Sequence, residues 1–174
     1  MSFLISSQRN NERDALSEVF YVISDILKYH VKPLKSRVPG LSILKLVDEI
    51  VSPFTVIQDI RNYITKKGHL IACLKIVPLE YLIKTDLPAI ILQTTHLAKE
   101  RILPSHSWRI TLNKRQSNLR SVQIIQEVAN EINWGIVNLK DPDIEIRIEI
   151  IRDLTGLSVM APNSDISMVK IISD

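Results

Sequence analysis

The sequence predicts an α+β chain of two small domains, an antiparallel sandwich over residues 1–80 and a second α/β domain over residues 81–174. Three observations predict it. The first eighty residues carry stop signals that divide them into strand, helix, strand, strand, helix and strand. The pattern changes after Pro78 into helix, strand, helix and then strands. Residues 144–151 alternate more cleanly than any other segment, which is the period of a β-strand. With 45% hydrophobic and 24% charged residues in 174, the chain has the composition of a folded protein.

Each element has a local reason. Phe3-Leu4-Ile5 is a short apolar strand. From Asn11 to Lys28 the apolar positions Ala15, Leu16, Val19, Phe20, Val22, Ile23, Ile26 and Leu27 recur every three or four residues, one continuous helical face. Val31 to Val38 and Leu41 to Val47 are β-rich runs around Pro39-Gly40, a hairpin signal. Ser52 is placed to cap a second helix, with Pro53 at its first position, where no N–H is required. Its apolar face is Phe54, Ile57, Ile60 and Ile64, and Lys66-Lys67-Gly68 closes it. Leu70 to Val77 is the last strand. This order is that of the ferredoxin-like βαββαβ sandwich, with both helices on one face of the sheet.

The second half continues in the same terms. Thr85-Asp86-Leu87-Pro88 opens a helix that runs into Lys99 to Arg101 and stops before Pro104. Trp108 to Leu112 alternates as a strand, and Asn113 to Asn118 is a polar, basic loop. Leu119, Val122, Ile125, Val128, Ala129 and Ile132 mark a helix capped by Ser117 or Asn118. Ile136 to Leu139 is a short strand ending in the turn Asp141-Pro142-Asp143. Isoleucines 144, 146, 148 and 150 then alternate with Glu145, Arg147 and Glu149, which predicts one buried and one wet face. Leu157 to Met160 and Met168 to Ile172 are the closing strands.

Composition narrows the functional classes. There are 27 isoleucines against 3 phenylalanines, so aliphatic bulk fills the core. The single cysteine, Cys73, cannot form a bridge within the chain and sits in an apolar run, where a thiol behaves as a small hydrophobe. The N-terminus is too short in apolar residues for a signal core, and no run approaches a membrane span, so a cytoplasmic protein is expected. The four glycines, 40, 68, 135 and 156, are scattered and build neither a P-loop nor a dinucleotide fingerprint. His30, His69, His96 and His106 have no metal-ligand spacing. No catalytic group, cofactor or metal site is assembled, so the chain is expected not to be an enzyme.

Charge is the remaining signal. Between Lys99 and Arg120 stand Lys99, Arg101, Arg109, Lys114, Arg115 and Arg120 against Glu100 alone, a window of +5 in a chain of net +3. A polyanion-binding surface follows. The candidate RNA-binding residues are Lys114, Arg115, Arg109, Arg120, Asn113, Lys99 and Arg101, arranged around the loop 113–118. A helix N-terminus behind that loop would favour phosphate. Trp108 is the lone aromatic of the window and reads as core. With no interleaved aromatics, recognition through phosphates and shape, hence of a folded RNA, is expected.

The run from Trp108 to Arg115 through Ile125, followed by Ile136 to Ile150, resembles a THUMP domain. That family has a strand ending in basic residues, a helix, and a V-x-L-x-x-P-D turn before a strand. Val137, Leu139, Pro142 and Asp143 match the turn. The resemblance implies tRNA binding, typically near the acceptor end. Ser6 to Ala15, Glu18 and Pro39-Gly40-Leu41 are similar to the opening of the tRNA cytidine acetylation adaptors, although the glycine usual near Asn10 is absent. This resemblance implies a ferredoxin-like region joined to THUMP. It also implies a tRNA partner and a separate RNA cytidine acetyltransferase that makes 4-acetylcytidine, with no membrane and no small-molecule substrate. Enzymes with THUMP domains carry a further methyltransferase, thiolation or deaminase domain, and no residues are left for one here. The alternatives are service to another tRNA modification, or a protein-interaction module with a basic face.

Overall fold

A computed structural model of the chain describes residues 1–48 and 50–168. It divides into two compact units: residues 1–79 with the segment beginning at Asn163, and residues 80–162.

The first unit begins with β1 (Ser2–Ser7) and α1 (Glu12–Phe20), which continues as a π-helical turn over Tyr21–Ile26. There Leu27 N–H reaches back five residues to the Val22 carbonyl, so the face carrying Val22 and Ile23 stays on the core while the ladder widens. β2 (Val31–Leu34) and β3 (Leu41–Leu46) form the expected antiparallel pair, but they do not meet directly at Pro39-Gly40. A longer connection intervenes, ending in a turn in which Leu41 N–H bonds the Val38 carbonyl and Gly40 takes φ +77°. Ser52 caps α2 (Pro53–Lys67) by accepting from the Phe54 N–H, as its sequence requires, and Gly68 follows the last turn. β4 runs later than expected, over Cys73–Leu79.

The sheet order is β4-β1-β3-β2, all antiparallel, which is the ferredoxin-like order. Phe3, Ile5, Leu44 and Ile76 share one face and pack with Val19 and Ile23 of the first helical segment and Val56 and Ile60 of α2. Cys73 lies in this core, where burial and then the Glu18 charge push its thiol up to about 12. It is no nucleophile at neutral pH. Beside it the Glu18 carboxylate accepts from the successive N–H groups of Ile71, Ala72 and Cys73 at 2.6 to 3.1 Å, closing the entry to β4.

A fifth strand, β10 (Ile166–Ser167), pairs antiparallel with β4. The segment that begins at Asn163 thus groups with residues 1–79, and residues 80–162 form the second unit. The expected strand from Met168 to Ile172 lies outside the described residues beyond Met168 itself.

The second unit opens with a strand unmarked in the sequence reading, β5 (Tyr81–Lys84), then α3 (Leu87–Arg101), capped by Asp86 through the Ala89 N–H. β6 spans Ser107–Arg115, α4 spans Ser121–Glu131, and β7 (Ile136–Val137), β8 (Ile144–Ile151) and β9 (Leu154–Met160) complete it. The sheet order is β5-β9-β8-β6-β7, with β6 parallel to both β7 and β8. Ile146, Ile148 and Ile150 of β8 face Ile90, Leu97, Ile124 and Val128 of the two helices. The opposite face of β8 is not wet: Glu145, Arg147 and Glu149 are only 2%, 7% and 7% exposed.

Candidate nucleic-acid interface

The basic window is built on β6, and its register explains where each charge goes. β6 pairs in parallel with β8 so that Arg109 stands beside Glu145, Thr111 beside Arg147 and Asn113 beside Glu149. Arg109, Thr111 and Asn113 thus make a polar ladder with Glu145, Arg147 and Glu149, while Trp108, Ile110 and Leu112 join the core with the isoleucines of β8. Asn113, Lys114 and Arg115 belong to this strand and not to a loop, which corrects the sequence reading. Asn113 finds its partner far along the chain and Lys114 finds one five residues on.

Within the ladder Arg147 is held by both carboxylates, Nη2 at 2.7 Å from Glu145 Oε1 and Nη1 at 3.5 Å from Glu149 Oε1. Arg109 adds Nη2 to Glu145 Oε2 at 3.3 Å and donates to the Leu139 carbonyl. Asn113 Nδ2 donates to Glu149 Oε1 at 2.8 Å. Lys114 lies on the other face, its Nζ donating to the Leu119 carbonyl at 2.6 Å. Arg101 is paired with Glu80 and also reaches the Val159 carbonyl. Burial pushes the Glu80 carboxyl above its usual range, against the opposing pull of the Val159 N–H and Arg101.

Five of the seven candidates, Arg101, Arg109, Asn113, Lys114 and Arg115, therefore have protein partners, Arg115 only the adjacent Lys114 carbonyl at 3.2 Å. Lys99, Arg115 and Arg120 are exposed and make no ion pair among the described residues. They do not form one patch. Arg115 ends β6 and Arg120 precedes α4 a few residues on, so these two share one end of the unit. Lys99 lines a groove with Glu131 at the far end of α4, roughly 16 Å away at 1.5 Å per residue. Arg109 lies roughly 20 Å from Arg115 along the strand.

The helix expected behind the loop starts later than its sequence suggests. Arg120, not Ser117 or Asn118, occupies the N-cap position of α4, and among the described residues no side chain caps its first turn. Ser117 Oγ instead accepts the Leu119 N–H, a local turn that ends before the helix. Arg120 thus flanks an uncapped helix N-terminus, where backbone N–H groups and dipole favour an anion.

The turn motif proves structural. Asp143 Oδ2 accepts from both the backbone N–H and the hydroxyl of Ser107 at 2.7 Å, tying the turn to the start of β6. Those two bonds hold the Asp143 carboxyl below the usual aspartate range. Asn138 Oδ1 accepts the N–H groups of Lys140 and Asp141, fixing the turn from within. Trp108 is core, as expected: it is 3% exposed and its indole N–H donates to the Trp134 carbonyl at 3.0 Å. Gly135 packs against it at φ +73°, where a Cβ would stand 2.8 Å from Trp108 Cδ1. Among the described residues no group of histidines, cysteines and carboxylates could hold a metal, and no helix is long and apolar enough to cross a membrane.

Residues 84–160, within the second unit with its mixed sheet and two helices, match the model of the THUMP domain. A match to this domain suggests RNA binding in tRNA modification. Solved structures share the fold over both units. PH1313 from Pyrococcus horikoshii Ot3 matches with a TM-score of 0.63 and 18% identity, over 95% of this chain and 55% of that one. A 4-thiouridine synthetase solved as an RNA complex with bound ATP gives 0.62 and 13%, over 95% and 41%. TrmN from Thermus thermophilus gives 0.54 and 12%, over 91% and 45%. The chain thus spans about half the length of the solved proteins it matches. No curated protein sequence matches it.

Proposed function

We propose that this protein is a non-catalytic tRNA-binding adaptor that presents tRNA to a separate acetyltransferase for formation of 4-acetylcytidine. The observation that carries the RNA-binding part is the THUMP match over residues 84–160, the unit that holds Arg115 and Arg120 beside an uncapped helix N-terminus. The similarity of the fold to a 4-thiouridine synthetase in complex with RNA supports it. The acetylation part is supported by the resemblance of Ser6 to Ala15 and the Pro39-Gly40-Leu41 turn to the adaptor family. Asn10 adds to it. This asparagine takes φ +72°, the left-handed conformation that a glycine there would supply.

Exposure sorts the window into residues that meet the phosphate backbone and residues that hold the domain together. In a tRNA shift assay, Arg115→Ala with Arg120→Ala should weaken binding about tenfold and lower the slope of log affinity against log salt by about two. Unchanged affinity would sink this site. For the adaptor part, purified protein with acetyl-CoA and tRNA should give acetylcytidine only when the partner acetyltransferase is added. Product without the partner would overturn it.

A further inference from the structure

The first unit carries a groove of about 470 Å³ between α1 and the connection that joins β2 to β3. Its floor is apolar, formed by Leu16, Leu34 and Leu41, and Arg13, Lys35 and Arg37 line its sides. All three cations are exposed and none makes an ion pair among the described residues. The one acid lining the groove among the described residues, Glu12, is turned to the wall: its Oε1 accepts the Gly40 N–H at 2.5 Å. Hydrogen bonds to backbone N–H groups hold that carboxyl below its usual range, so it stays a partnered anion. The lining keeps two positive charges in excess.

The two walls are joined to each other. Besides the Glu12–Gly40 bond, Ser42 Oγ donates to the Glu12 carbonyl at 3.2 Å and Ser7 N–H to the Gly40 carbonyl at 2.9 Å. Within the connection Ser36 Oγ donates to the Leu41 carbonyl at 2.5 Å and accepts the Val38 N–H at 3.2 Å. The groove is therefore formed before anything enters it, which removes an ordering cost from binding.

From this combination we propose that the groove docks a segment of a partner protein that is acidic and carries leucines or similar aliphatic residues. Charge complementarity selects the sign of the occupant, and the leucine floor selects its class. Phosphate gains nothing from an aliphatic floor, and no aromatic lines the groove for a base to stack on. An amphipathic acidic helix satisfies both features, seating its apolar residues on the floor and its carboxylates against Arg13 and Lys35. The groove belongs wholly to the first unit, so this inference stands apart from the RNA reading of the second.

The test uses the full chain and a fluorescein-labelled synthetic peptide rich in glutamate with leucines at i, i+3 and i+4, followed by fluorescence anisotropy. Arg13→Glu with Lys35→Glu should weaken binding at least about tenfold, and so should replacing the peptide's leucines by serine. An unchanged circular dichroism spectrum and melting temperature would show that the double variant is folded. A wild-type protein that does not bind the peptide would overturn the proposal, as would a double variant that binds it equally well. Equal binding of the serine peptide would reduce the site to a bare charge effect and also overturn it. If the double variant left peptide binding intact but lost tRNA, the surface would belong to RNA.

Discussion

In the second unit the cations crowd together in sequence, yet most are taken up by the protein: Arg109 and Arg147 by Glu145, Lys114 by the Leu119 carbonyl, Arg101 by Glu80. In the first unit Arg13, Lys35 and Arg37 come from two segments more than twenty residues apart, and their side chains surround an apolar floor with no carboxylate among the described residues opposite them but the partnered Glu12. Charge density along a chain and charge available to a ligand are thus different quantities. Register decides between them. A parallel pairing that sets Arg109 beside Glu145 converts a basic sequence into an internal ladder, whereas a helix and a connection that meet side by side leave their cations facing solvent.

Removing a charge from each region and measuring stability separates structural cations from available ones. Arg147→Ala leaves two buried carboxylates short of their shared partner and should lower the unfolding free energy by roughly 3 kcal/mol in denaturant titrations. Arg109 and Asn113 remain to cover part of the loss. A change below about 1 kcal/mol would mean that the ladder is not the anchor described here. A smaller effect is expected at Asp143, whose two bonds from Ser107 hold its folded-state titration below that of the unfolded chain. Its contribution is full above the ordinary aspartate range and is lost as the pH falls through the folded value. The gap in melting temperature between wild type and Asp143→Asn should therefore narrow on acidification from neutral pH. A gap constant down to strongly acid pH would remove the clamp from the account. Least of all should happen in the groove: Arg13→Ala and Lys35→Ala should each stay within about 0.5 kcal/mol of wild type. A larger loss would show that these cations are structural too.

Much of the fold was legible because its signals are local. Ser52-Pro53 and Asp86-Leu87-Pro88 announce their helices, and Ser52 and Asp86 cap them as their side chains allow. What escaped depends on partners far along the chain. Asn113 and Lys114 look like loop residues because their polarity is answered within the protein, by Glu149 and by the Leu119 carbonyl. The carboxylates of β8 alternate as on a half-wet strand, but charge pairing lets that face be buried as well. β5 is four residues long and is defined by its pairing with β9, more than seventy residues later. Of the candidate site, the type of chemistry was readable in the charge window. Which cations remain exposed was not, because that follows from strand register, and the groove of the first unit left no cluster in the sequence to find.

The short strand β10 has a consequence in time. A chain emerges from the ribosome N-terminus first, so β4 is complete well before Ile166 exists to pair with it. Every strand of the second unit is made in that interval. The sheet synthesised first is thus finished last, and until then one margin of β4 presents unpaired backbone groups of the kind that recruit stray strands. Released chains truncated before Ile166 should bind holdase chaperones more than the full chain does.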